Sequence, residues 1–310
     1  MIRSNLCRRR LLVLFSVMAL MTGFGSAQTL LFGQSDGLAD DPLYTLDLPT
    51  DVLTEQLMDG TVRGATWDPD EERFLITYSL GGGPPTQLWE YRTGDLSFTL
   101  LGTMEVGKDT LSISGLAYSG GSLYGVHPVD SPAGVEGLYR IDLGTLEGTL
   151  VVAHDLTDPK VPDNNAGISG IDADPTTGTI YGTDDTNQQV VRYDLDGGSI
   201  IPVVDYPGKS FDIDGLAACG NDRIYLISDG NGGDGDPAQD HYVYNLAEAA
   251  YEDSIANPMT ILDPFSEADA GGACIPAPPG VLEIPVQGPA GRLILVLALL
   301  GAAAWAFRWR

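Results

Sequence analysis

Between residues 28 and 272 the chain alternates apolar and polar positions in short runs, and the runs return in a fixed order. "LYRIDL" is representative: Leu138, Arg140 and Asp142 fall on one side of an extended segment, and Tyr139, Ile141 and Leu143 on the other. Four stretches align: "GATWDPDEERFLITYS", "GLAYSGGSLYGVHP", "GISGIDADPTTGTIYGTDD" and "GLAACGNDRIYLISD". Each starts on small residues, runs through a short strand, turns at Asp and Gly, and returns as a second β-rich run. The aligned glycines are Gly64, Gly115, Gly170 and Gly215, spaced by 51, 55 and 45 residues. Third strands follow as "QLWEYR", "GLYRIDL", "VVRYDL" and "HYVYNL". Fourth strands follow as "FTLLGTM", "TLVVAHDL", "SIIPVVDY" and "MTILDPF". Upstream, "TLLFGQSD", "PLYTLDLP" and "VLTEQL" match strands two to four of one more unit whose first strand is not evident.

Four short strands returning about every 50 residues predict an all-β fold, a β-propeller of about five four-stranded blades spanning 28–272. One blade cannot bury both of its faces, so neighbours stack radially. A β-sandwich would not require the same strand order to recur. The incomplete first unit calls for a closing strand from elsewhere in the chain.

The two ends read differently. "MIRSNLCRRR" is basic, "LLVLFSVMALM" apolar, and "TGFGSA" ends on small residues, which predicts a secretory signal over 1–27 cleaved after Ala27 by signal peptidase. The chain closes on "IPVQGPAGRLILVLALLGAAAWAFRWR". Leu293 to Phe307 carries no charge, with Arg292 before it and Arg308 and Arg310 behind. A C-terminal transmembrane helix over 292–310 is expected, with the terminal Arg pair cytoplasmic and the acidic body outside. "CIPAPPGVLEIP" reads as part of an extended stalk over 273–291.

Charge narrows the partners. The chain has 16 Lys and Arg against 43 Asp and Glu, a formal net charge of −27. Such a surface repels nucleic acid and attracts cations, calcium among them. The loop "DGNGGDGDPAQD" gathers hard oxygens at Asp229, Asn231, Asp234, Asp236 and Asp240, a candidate calcium site; a solvated acidic loop has the same composition. Asp172, Asp212 and Asp214 lie on or beside first strands, which line a propeller's channel, although Asp near Gly also simply makes turns. His127, His154 and His241 lie on separate units without metal-ligand spacing. Cys219 and Cys274 are the two thiols outside the signal, and in an oxidising compartment a disulfide between them would tie the stalk to the last blade.

Two resemblances extend this reading. Ile284-Pro285, a spacer, Gly291, a Leu-rich span and the terminal Arg308 and Arg310 resemble the IPTL-CTERM sorting domain, a relative of PEP-CTERM. That resemblance implies an exported bacterial protein whose tail is handled by an exosortase. "GLAY…LYGV…GLYRIDLGTLEG" is similar to exported propellers of the NHL, lactonase and SMP-30-like type, which implies the scaffold and leaves the activity open. The expected function is a binding or structural module of the cell envelope or extracellular matrix, with an extracellular polysaccharide or protein as ligand. The alternative is a calcium-dependent hydrolase or lactonase using the central channel. An enzyme should gather acids and a His at one mouth; a binding module should show aromatics or variable loops there.

Overall fold

The computed structural model describes residues 28–33, 43–48, 52–56, 60–79, 86–127, 135–154, 167–208, 213–220, 222–228, 240–255 and 272–275. Blade I contains β1 (Thr29–Gly33), β2 (Leu43–Asp47) and β3 (Val52–Gln56). Blade II is β4 (Thr61–Asp68), β5 (Arg73–Ser79), β6 (Gln87–Arg92) and β7 (Ser97–Thr103), followed by a small hairpin, β8 (Glu105–Val106) and β9 (Asp109–Thr110). Blade III is β10 (Gly115–Ser119), β11 (Ser122–His127), β12 (Gly137–Ile141) and β13 (Gly148–Ala153). Blade IV is β14 (Ile168–Ala173), β15 (Ile180–Asp184), β16 (Gln189–Asp194) and β17 (Ser199–Asp205). Blade V is β18 (Gly215–Gly220), β19 (Arg223–Ile227), β20 (Tyr242–Asn245) and β21 (Ala250–Tyr251), so its fourth strand precedes the expected "MTILDPF", which lies outside the described residues. The last strand, β22 (Ala273–Ile275), crosses back to become the inner strand of blade I, in the order β22-β1-β2-β3. The fold is therefore a five-bladed β-propeller with four antiparallel strands in every blade.

Burial follows distance from the axis. Inner strands are covered on both faces, and every residue of β18 is buried; outer strands such as β7 and β17 are partly open to solvent. Period-2 alternation therefore sends successive side chains into two different cores rather than into core and solvent. In β1, Leu30 and Phe32 pack with blade V residues such as Tyr225 and Ile227, while Leu31 packs with Val62, Phe74 and Ile76 of blade II. Five such clusters occupy the five blade interfaces, including the one between blades V and I.

The repeated glycines have a steric cause. A Cβ on Gly64 would lie 2.8 Å from the Ser114 carbonyl oxygen, one on Gly115 2.5 Å from that of Ser169, and one on Gly170 2.6 Å from that of Asp214. Inner strands meet backbone to backbone at the narrow end of each wedge, where no side chain fits. They form a continuous round, β4 beside β10, β10 beside β14, β14 beside β18, β18 beside β22, and β22 beside β4.

Closure takes residues that the sequence assigned to the stalk. Ala273, Cys274 and Ile275 pair with Leu31, Leu30 and Thr29, and Cys274 forms a disulfide with Cys219 of β18, Cα–Cα 5.0 Å. The propeller thus runs to at least Ile275, three residues past the expected boundary. The bridge ties the first blade to the last. Among the described residues no helix is long and apolar enough to cross a membrane. The signal over 1–27, the segment over 292–310 and the sorting residues Ile284, Pro285, Gly291, Arg308 and Arg310 lie outside the described residues.

Candidate functional site

Four inner strands, β4, β10, β14 and β18, run the same way, so the turns that follow them gather at one mouth of the ring. Numbering from the aligned glycines, the third position is Trp67, Tyr118, Ala173 and Ala218 on successive blades. Two large aromatics face two alanines, and the difference opens a cavity of about 240 Å³. Blade II contributes Trp67, Pro69 and Asp70; blade III contributes Tyr118 and the Gly120-Gly121 turn. Blade IV adds Asp172, Asp174 and Pro175, blade V Ala218, and the closing strand of blade I Cys274. All five blades line it.

Local chemistry fixes these turns. Asp68 accepts from the amides of Asp70 and Glu71 at 3.1 and 3.4 Å and is paired with Arg73 at 3.0 Å. Asp174 accepts from the Thr176 amide at 2.8 Å and the Thr177 hydroxyl at 3.0 Å. Side-chain carboxylates thereby satisfy turn amides that no strand partner reaches. Between β10 and β11, Gly120 and Gly121 have φ of +57° and +75°, a two-residue hairpin turn that needs positive φ at both positions and so favours glycine. The Trp67 ring is braced edge-on by Phe74, centroids 4.9 Å apart.

Asp172 is the buried centre of the mouth. Its Oδ1 accepts from Thr66 Oγ1 at 2.9 Å and its Oδ2 from the Ala218 amide at 2.9 Å. Thr66 Oγ1 in turn accepts from the Tyr118 amide at 2.9 Å. One chain of hydrogen bonds thus links blades II, III, IV and V. Burial pushes the Asp172 carboxyl up to about 8, against the pull of its donors and with the Asp174 charge adding to the rise. At the rim, the Tyr118 hydroxyl donates to Asp70 Oδ2 at 2.9 Å. Burial, with the Asp70 hydrogen bond and the charges of Asp68 and Asp70, moves that phenol above its ordinary range.

The other sequence candidates fall elsewhere. Asp214 lies one residue before the blade V glycine and Asp172 two after the blade IV glycine; three residues of strand place them roughly 10 Å apart along the axis. Asp214 does not line the cavity. Asp240 begins the turn into β20 and accepts from Ser254 Oγ at 2.7 Å. Asp212, Asp229, Asn231, Asp234 and Asp236 lie outside the described residues. Among the described residues no three His, Cys, Asp or Glu side chains converge as metal ligands.

All three histidines are buried at the far ends of blades. His127 binds the Ser112 carbonyl at 2.7 Å; His154 lies between Glu136 and Tyr193 at 3.3 and 3.1 Å. His241 accepts the Ser228 amide through Nδ1 at 3.3 Å, its Nε2 is buried with no hydrogen-bond partner among the described residues, and burial lowers it to about 4. Trp67, Tyr118, Asp70 and Asp174 are the mouth residues that sequence reasoning passed over, although the aligned glycines marked the register of the first two.

No family model matches the chain, and no curated protein matches it. Among solved structures it is similar to a crystal structure of a nidogen/laminin complex, at 12% identity and a TM-score of 0.49, covering 80% of this chain and 98% of that one. It is also similar to a structural-genomics protein of unknown function from Bacteroides thetaiotaomicron VPI-5482, at 11% identity and a TM-score of 0.48, covering 74% of this chain and 58% of that one.

Proposed function

We propose that the protein is an exported binding module of the bacterial cell surface or extracellular matrix that takes a polysaccharide ligand at the mouth of its propeller. One observation carries the reading: side chains from all five blades meet at a single cavity walled by aromatic rings and carboxyl groups. Such a lining, an apolar ring face beside a few convergent polar groups, suits a ligand that is itself half apolar and rich in hydroxyls. Behind it Asp172, 4% exposed, accepts hydrogen bonds from Thr66 of blade II and the Ala218 amide of blade V, which tie the inner strands together at that depth. Acids and aromatics share the mouth, while the histidines that acid–base chemistry would use are spent inside the blades.

Export rests on the signal over 1–27, and display on the stalk and the sorting tail, which signal peptidase and an exosortase would process. Calcium at the Asp229–Asp240 loop is a separate proposal, tested by calorimetric titration of calcium against an Asp234→Asn/Asp236→Asn variant. For the module itself, the full chain produced in an exporting host should begin at Gln28 and be cut by protease added to intact cells. It should co-sediment with polysaccharide extracted from the envelope, and an Asp70→Asn/Tyr118→Phe variant of unchanged melting temperature should co-sediment several-fold less. Equal sedimentation of variant and wild type would overturn the mouth as the binding site.

A further inference from the structure

The lining of the mouth is one-sided in charge. Asp70 and Asp174 supply its acidic side chains, with the Asp172 carboxyl, pushed up to about 8 by burial, at the centre, and no Lys, Arg or His is among the described lining residues. Asp172 is 4% exposed and is held by a hydroxyl and an amide, neither of which carries a charge. Asp70 is at the exposed rim, and its carboxylate takes the Tyr118 hydroxyl. The carboxyl groups do not converge on one point, as a single metal ion would require. Instead they are spread round a cavity of about 240 Å³, with Trp67 and Tyr118 as walls on adjacent blades.

From this we infer that the polysaccharide bound at the mouth carries free amino groups, and that an amino-sugar residue seats its ring against Trp67 with its ammonium toward Asp70 and Asp174. The inference rests on the binding-module reading above. An ammonium supplies charge that the lining lacks, and charge-assisted hydrogen bonds to carboxylates are stronger than neutral ones. Aromatic faces attract the same cation, most strongly when water is excluded. A sugar ring also offers hydroxyls to acceptors on separate blades, which a lysine side chain with its single polar end cannot do.

Three β-1,4-linked tetramers separate the possibilities, because glucosamine, N-acetylglucosamine and glucose tetramers share a backbone and differ only at C2. Calorimetric titration into the full chain, with tetralysine as a fourth probe, should show the glucosamine tetramer binding about tenfold or more tighter than the other three. The preference should shrink as salt is raised and collapse in Asp70→Asn. Equal affinity for the three sugars would overturn the inference, and a tighter complex with tetralysine would overturn it in favour of a basic peptide. If no probe binds while envelope polysaccharide still co-sediments, the amino-sugar class falls and the module stands. If both are lost, both readings fall.

Discussion

Removing the Cys219–Cys274 bridge tests how the ring is held shut. The bridge joins residues 55 apart in sequence, on β18 and β22, across the interface between the last blade and the first. Loop-closure entropy for about 55 residues is roughly 14 cal/mol/K, or about 4 kcal/mol at room temperature. For a domain of this size that is about 8–16 °C in melting temperature. The double substitution Cys219→Ala/Cys274→Ala leaves no unpaired thiol, and each alanine keeps a Cβ in the core shared with Leu30, Phe32 and Tyr225. Thermal unfolding followed by circular dichroism should place the variant that far below oxidised wild type. Reductant should bring wild type down to the variant and leave the variant unmoved. If variant and wild type melt together under oxidising conditions, the bridge does not limit opening at the V–I seam and the reasoning is wrong.

Asp172→Asn should change the shape of the pH–stability curve. The folded carboxyl holds its proton to about 8, whereas its ordinary value is 3.8, so the folded state binds more protons between those limits. Wild type therefore loses about 1.4 kcal/mol per pH unit from this group as pH rises, a component absent in the variant; parallel urea-derived curves would refute it. His241 works in the opposite sense: lowered to about 4 from 6.5, it removes stability as pH falls through that window, and His241→Asn should flatten the acid limb. Gly115→Ala should cost about 1–3 kcal/mol because its Cβ would meet backbone of β14, with Gly94→Ala, which meets nothing within 4 Å, as the neutral control. Equal midpoints in urea for the two alanine variants would contradict the steric account of the repeat.

The repeat was legible because wedge geometry forces it. Glycine returns at Gly64, Gly115 and Gly170 where inner backbones touch, and the Asp- and Gly-rich turns return where the first strands end. The closing strand was not legible: three residues, Ala273–Ile275, are too few to show alternation, and they adjoin a proline-rich stretch. Alternation in "LYRIDL" suggested two sides but could not say that Leu138 is buried against blade IV while Arg140 on the same side is exposed, with Tyr139 and Ile141 buried against blade II. Asp172 was visible as an inner-strand acid; its separation from Asp214 depends on register relative to the glycines, which the alignment contained. The mouth itself needed the ring, because its cavity arises from four positions spread over four blades, none of which marks a site alone.

Hydrogen-exchange mass spectrometry of the full chain with and without envelope polysaccharide locates the bound ligand on the ring. Binding at the mouth slows exchange in three separate peptides together, around 66–70, 118–121 and 172–178, and leaves exchange along the outer strands β7, β13 and β17 unchanged. Protection confined to outer strands, or none at the three turns at saturating polysaccharide, would contradict it.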